Sequence, residues 1–360
     1  MIDKQSLTSV WFDSRRKIYK KADPSIMERM IYALYLLEQM QLSGLEFVFK
    51  GGTSLMLLLN NAKRFSIDLD IILPTGTRQD DIEVFLAKAA KDNAFLRFVL
   101  DEKRSFKPGM PKAHYKFIFA SALLKREQEI LLDILFEDIQ YPVVLRKPIE
   151  TEWIQQMGES VLITTPDINA IAGDKLTAFA PETVGIPYGS AKEREIIKQL
   201  FDIGELFDVI DNLETFKSSF TAIAGAEISY RNNRQLTINA VLDDIIQTGL
   251  IIATRGTQSA DDTTRFQELA TGIIPFRSFL YTGSFRIEEA QIASAKAAYL
   301  AAMIKTGYKG PVMRFSNSLS KESLLVRHPQ YNFLNKKLKN VKGGCLFYWN
   351  ETIKLLFPLQ

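Results

Sequence analysis

Two acids and two glycines carry the clearest chemistry in this chain. Asp68 and Asp70 stand two residues apart in the run Arg64-Phe65-Ser66-Ile67-Asp68-Leu69-Asp70, shortly after Lys50-Gly51-Gly52-Thr53-Ser54-Leu55. Side chains on a strand alternate between faces, so an Asp-x-Asp pair puts both carboxylates on one face, about 7 Å apart along the strand. Such a pair can jointly hold Mg²⁺ (or Mn²⁺), a hard cation that takes oxygen ligands and fills its shell with substrate phosphates. A Gly-Gly turn opening a helix presents backbone N–H groups to phosphate. Gly51, Gly52, Thr53 and Ser54 are the cradle residues, with Ser66 close to the acids. A phosphate cradle beside a metal clamp suits chemistry on a nucleoside triphosphate (NTP).

These residues need a strand, a turn, a helix and a second strand to hold them. The spacing predicts a strand over 46–50, a helix over 53–60 and a strand over 68–73 that Pro74 ends. Asp23-Pro24 starts a helix over 24–41, with Ile26, Met30, Leu34 and Leu37 at helical spacing. A helix over 79–92 and a strand over 95–101 follow, then paired strands over 114–120 and 129–137 with Leu131, Asp133 and Leu135 on one face. After Pro148 the pattern turns helical. Thr165-Pro166 reads as a helix start with proline in the first position, and further helices are expected over 191–210, 212–224, 235–248, 262–281 and 286–306. The polar stretch 253–264 reads as a mobile loop. The expected layout is α+β: a mixed-sheet domain over 1–150, then a mainly helical domain over 151–360.

Composition narrows the chemistry. Of the 360 residues, 46% are hydrophobic and 24% charged, as in an ordinary globular protein with a large core. No apolar run reaches the roughly 18 residues of a membrane span, and the N-terminus lacks the apolar core of a signal peptide. The single cysteine, Cys345, rules out an internal disulfide and fits a cytoplasmic protein. With only His114 and His328, a zinc site or a histidine-based nucleophilic triad is a poor expectation. Catalysis should run on carboxylates, lysines, hydroxyls and bound metal.

In the order strand, Gly-Gly, helix, strand, Asp-x-Asp, the first motifs match the minimal signature of the nucleotidyltransferase fold. Asp133, in Ile130-Leu131-Leu132-Asp133-Ile134-Leu135, stands where that fold carries a third metal-holding carboxylate. Two later runs sharpen the likeness: Asp174-Lys175-Leu176-Thr177-Ala178 and Lys198-Gln199-Leu200-Phe201-Asp202-Ile203. Together, from residue 50 to about residue 208, they resemble the AbiEii/AbiGii family of nucleotidyltransferase toxins from abortive-infection and toxin–antitoxin systems. The resemblance implies a catalytic or nucleotide-binding Lys175, and an Asp202 that orients Lys175 or activates the acceptor hydroxyl. Ser66 resembles a serine that is modified in some silenced relatives. It also implies Mg²⁺, an NTP substrate, an RNA acceptor such as tRNA, and a cognate antitoxin.

From Lys305 to Lys342 the chain holds nine basic residues and one acid, Glu322, with Tyr308, Phe315, Tyr331 and Phe333 interleaved. That mixture suits an RNA backbone with bases stacked on rings, and equally a solvated basic face over core aromatics. Two other functions stay open: kinase-like transfer of a terminal phosphate on the same fold, and a non-catalytic nucleotide- or antitoxin-binding module.

Overall fold

The computed structural model describes residues 1–105, 111–231, 235–342 and 344–358. The chain forms two compact units: Met1–Asp167 with Ser278–Gly283, and Ile168–Arg277 with Ser284–Gln360.

The first unit is built on seven strands: β1 Val48–Lys50, β2 Leu69–Leu73, β3 Arg97–Leu100, β4 Lys112–Ala120, β5 Glu127–Phe136, β6 Val144–Pro148 and β7 Leu162–Pro166. They lie in the order β3-β4-β5-β2-β1-β7-β6. β2 runs parallel to β5 and β1 parallel to β7, while the other neighbours are antiparallel. The expected mixed sheet is present. Alternation sorts the side chains of the long β4–β5 hairpin. Ala113, Tyr115, Phe117 and Phe119 are buried with Ile130, Leu132 and Ile134, while His114, Leu131, Asp133 and Leu135 lie half-buried on the other face.

The buried face packs against the helix Pro24–Leu42, which in turn packs on the helix Gln79–Ala89. Met30, Leu34 and Leu37 are fully buried, as their spacing predicts, and Tyr32 stacks on Phe119 at 3.8 Å between ring centroids. Each such side chain contributes about 1.5–3 kcal/mol on leaving water. Asp23 accepts the Ile26 N–H at 3.0 Å and caps the helix.

Three differences from the sequence reading have clear causes. Thr165-Pro166 closes β7 rather than opening a helix; Pro166 pairs opposite Val144 at the strand end, where its missing N–H costs no ladder bond, and the helix begins at Ile168. The segment 253–264 is mostly ordered helix: Ile238–Thr254 ends on Arg255 in a left-handed conformation, and Ser259 caps Ala260–Thr271. The helix expected over 262–281 is broken at Gly272 and Pro275, giving a short turn Ile273–Phe276.

In the second unit the alanine-rich helix Ile287–Lys305 is buried along most of its length. It packs against Ile238–Thr254, Cys345–Leu356 and Glu193–Phe207. The helix Ile168–Ala178 lies against Leu213–Tyr230, so close that a Cβ at Gly173 would stand 2.7 Å from the Phe216 carbonyl oxygen. Among the described residues no helix is long and apolar enough to cross a membrane.

Candidate active site

The half-open face of the sheet collects its polar groups in one row. Across adjacent strands Lys50 pairs with Asp70, Asp70 with Asp133, and Asp133 with His114. Directly opposed residues project to the same face, so β1, β2, β5 and β4 each contribute one ionisable side chain. Asp68 lies just before β2, two residues from Asp70, and like it is half-buried. The register thus brings Asp133 beside Asp70, although 63 residues of sequence separate them. Lys50, Asp70, His114 and Asp133 line a cavity of about 130 Å³, with Lys112 at its edge.

The turn at Gly51-Gly52 is shaped by what crowds it. Gly51 has φ +81°, a region costly for other residues, and a Cβ there would lie 2.0 Å from Asp70 Oδ2. The carboxylate of Asp70 therefore rests directly on the turn. A Cβ at Gly52 would lie 2.8 Å from both Arg64 Nη2 and Ser66 Oγ. Lys50, at the N-cap of the helix Gly51–Leu58, makes no side-chain bond to its first turn. The helix start, a guanidinium and a hydroxyl thus converge around one alpha carbon, a chemistry that suits an anion.

Thr53 and Ser54 are fully buried and face inward. Thr53 donates to the Asp68 carbonyl at 2.5 Å and Ser54 to the Gly51 carbonyl at 2.8 Å. Their hydroxyls tie the helix to the acid-bearing segment and to the turn, which leaves their part in a cradle to the backbone. Arg64 and Ser66 are held by Phe65, whose N–H donates to the Phe279 carbonyl at 2.8 Å and whose ring meets Trp153 and Tyr281 at 4.7 Å each.

Asp133 is engaged on both oxygens. A carboxylate only accepts, so His114 Nδ1–H donates to its Oδ1 at 2.6 Å, and Arg104 Nη2 stands 3.7 Å from Oδ2. Lys50 Nζ lies 5.6 Å over the ring of Tyr141. Among the described residues no three His, Cys, Asp or Glu side chains form a ready metal cage. The donor set nevertheless fits a hard cation: carboxylate oxygens from neighbouring strands, beside a turn that opens a helix.

Lys175 and Asp202 form a buried ion pair in the second unit. Lys175 Nζ lies 3.1 Å from Asp202 Oδ2 and donates to Gln199 Oε1 at 3.1 Å, and both charged side chains are over nine-tenths buried. Asp202 and Gln199 sit three residues apart on the helix Glu193–Phe207, so one helical face holds the ammonium of the helix Ile168–Ala178. Lys198 bonds Glu195 at 2.8 Å on the same helix.

His114, Arg104, Lys112 and Gln199 belong to these clusters without having been singled out in the sequence. His114 comes opposite Asp133 because the hairpin pairs Ala120 with Glu127, a register that strands expected over 114–120 and 129–137 do not fix.

A strand–turn–helix–strand frame with a glycine cradle and clustered acids defines an enzyme that works on nucleotides. The family model for the AbiEii nucleotidyl transferase toxin of Type IV toxin–antitoxin systems matches residues 35–278, more than half of the chain. The chain belongs to this family of toxins and is a nucleotidyltransferase. Among solved structures, it is similar to JHP933 from Helicobacter pylori, at 14% identity over 78% of this chain and 93% of that one, with a TM-score of 0.43. A second Helicobacter pylori structure, of a candidate nucleotidyltransferase, gives 14% identity over 78% and 94%, with a TM-score of 0.41. No curated protein matches the sequence.

Proposed function

We propose that the protein moves a nucleoside monophosphate from a Mg²⁺-bound NTP to the hydroxyl of an RNA acceptor, such as tRNA, releasing pyrophosphate in the cytoplasm. The observation that carries this is the position of Asp70, whose carboxylate lies against Gly51 and whose strand register sets it beside Asp133. It joins the phosphate cradle and the acids in one row.

On this reading Asp68 and Asp70 hold Mg²⁺ (or Mn²⁺), with Asp133 as the flanking carboxylate. The cation would activate the attacking hydroxyl and balance charge on the phosphates. Gly51, Gly52 and the first-turn N–H groups of Thr53 and Ser54 bind phosphate oxygens, and Arg64 and Ser66 add charge and a donor from the other side. Lys175 is assigned to the triphosphate by the family resemblance. A role for Asp202 in orienting Lys175 is supported by their 3.1 Å ion pair. The antitoxin partner follows from the Type IV system that the family serves.

The test is incorporation of base-labelled against γ-labelled NTP into total RNA. Nucleotidyl transfer puts only the base label into product; a γ-label in product would convert the reading to a phosphotransferase. Asp70→Asn is expected to lower incorporation by roughly 10²-fold or more. Wild-type turnover in that variant would overturn the assignment.

A further inference from the structure

We propose that the segment 321–342 of the helical unit is a docking surface for single-stranded RNA. Lys321, Arg327, Lys336, Lys337, Lys339 and Lys342 are all exposed, and Glu322 is the single acid among them. By contrast, three less exposed cations of this unit are matched: Lys296 holds Asp208, Lys305 holds Asp243, and Lys175 holds Asp202. Among the described residues none of these six sits in an ion pair. Their field is therefore uncompensated locally, which is the arrangement that draws a phosphate backbone.

The surface is built, not merely basic. Asn335 accepts the Val326 N–H at 2.9 Å and returns its own N–H to the Val326 carbonyl at 2.8 Å. These two hydrogen bonds of side chain to backbone close the loop 326–335, with Arg327 and Lys336 following the joined residues in the chain. Leu334 and Leu338 are buried beneath it, and Asn350 of the helix Cys345–Leu356 donates to the Ser323 carbonyl at 3.0 Å. Three rings stand within this frame. His328 and Phe357 lie 4.6 Å apart, and Tyr331 lies 5.6 Å from each of them. Phe357 is 39% exposed, and Tyr331 and His328 are half-buried.

Cations alone would equally suit an acidic protein. Half-exposed rings among them favour a strand whose bases are splayed and can stack. Duplex RNA hides those faces, so the ligand is a loop, a tail or an unpaired end. The surface belongs to the helical unit and the acids to the sheet of the other, and the proposal rests on the nucleotidyl-transfer reading only in taking the acceptor to be RNA.

The test uses the full-length protein and a fluorescent unstructured oligoribonucleotide, followed by anisotropy over a salt series. The triple variant Lys336→Glu/Lys337→Glu/Lys339→Glu is expected to bind at least about tenfold more weakly. Its slope of log affinity against log salt should fall by about 2, at 0.7 per lost phosphate contact. Tyr331→Leu should weaken binding by about tenfold with the slope unchanged, since stacking carries no counterions. That second variant, with melting curves for both, separates a lost surface from a lost fold. Wild-type affinity and slope in the triple variant would overturn the proposal. So would retained RNA binding alongside lost binding of poly-glutamate, which would assign the surface to an acidic protein. A wild-type protein that bound RNA here yet incorporated no nucleotide would sink the enzymatic reading alone. Transfer by the triple variant at an unchanged KM for RNA would sink the docking surface alone.

Discussion

Gly51 and Gly52 are adjacent and do different work, which gives the sharpest contrast at the scale of single residues. Gly51 is needed for its positive φ and for the space Asp70 occupies. Gly51→Ala is expected to cost about 1–3 kcal/mol of stability and to displace Asp70, seen as a lower melting temperature with lost activity. Gly52 has ordinary backbone torsions, and its Cβ would only push the ends of Arg64 and Ser66 apart. Gly52→Ala should therefore melt near the wild type while binding Mg²⁺-NTP about tenfold more weakly by calorimetry. Equal losses of stability in the two variants would contradict this division. The Gly-Gly turn and the Asp-x-Asp pair were legible in the sequence because local spacing sets them. The partners of Asp133 were not singled out: contact between His114 and Asp133 depends on hairpin register, and Arg104 arrives from outside the strands.

At the scale of elements, the buried pair Lys175–Asp202 binds two helices together and so serves structure, beside the part proposed for it in nucleotidyl transfer. Removing one partner leaves the other charge buried alone, and Asp202→Ala should cost about 3–5 kcal/mol in chemical denaturation. Replacing both, as Lys175→Met/Asp202→Leu, should recover most of that stability while nucleotidyl transfer stays absent. Activity in the double variant would reduce the pair to a structural strut. The Lys198-x-x-x-Asp202 run is local and legible, whereas the ammonium of Lys175 reaches Asp202 from another helix, a contact that only tertiary packing sets. Helices with a strong apolar period were legible throughout, as with Met30, Leu34 and Leu37. β7 was missed because Pro166 at its end reads locally as a helix start, and β6 because Val144-Leu145-Arg146-Lys147-Pro148 carries no alternation of apolar and polar residues.

For the whole molecule, stability should depend on pH through Asp244. Burial pushes its carboxyl up to about 6, although Thr183, Thr248 and the Glu182 N–H all donate to it. The unfolded chain gives up this proton near pH 4. Between about pH 4 and pH 6 the folded state therefore binds more protons, and stability falls as pH rises through that window, by about 3 kcal/mol in all. Asp244→Asn should flatten this slope in unfolding measurements at pH 4.5 and pH 7; an unchanged slope would remove Asp244 as its source. The path of the chain carries a last consequence. Ser278–Gly283 returns to the first unit, where Leu280 bridges Arg64, the Tyr281 N–H donates to the Lys63 carbonyl at 3.1 Å, and Phe279 holds Phe65. During synthesis the catalytic sheet emerges early, but the strand partner of Arg64 emerges more than a hundred residues after β7. A nascent chain thus carries Asp68, Asp70 and Asp133 long before the strand partner of Arg64 is made, and a chain cut before residue 278 would lack the contacts that hold Lys63, Arg64 and Phe65.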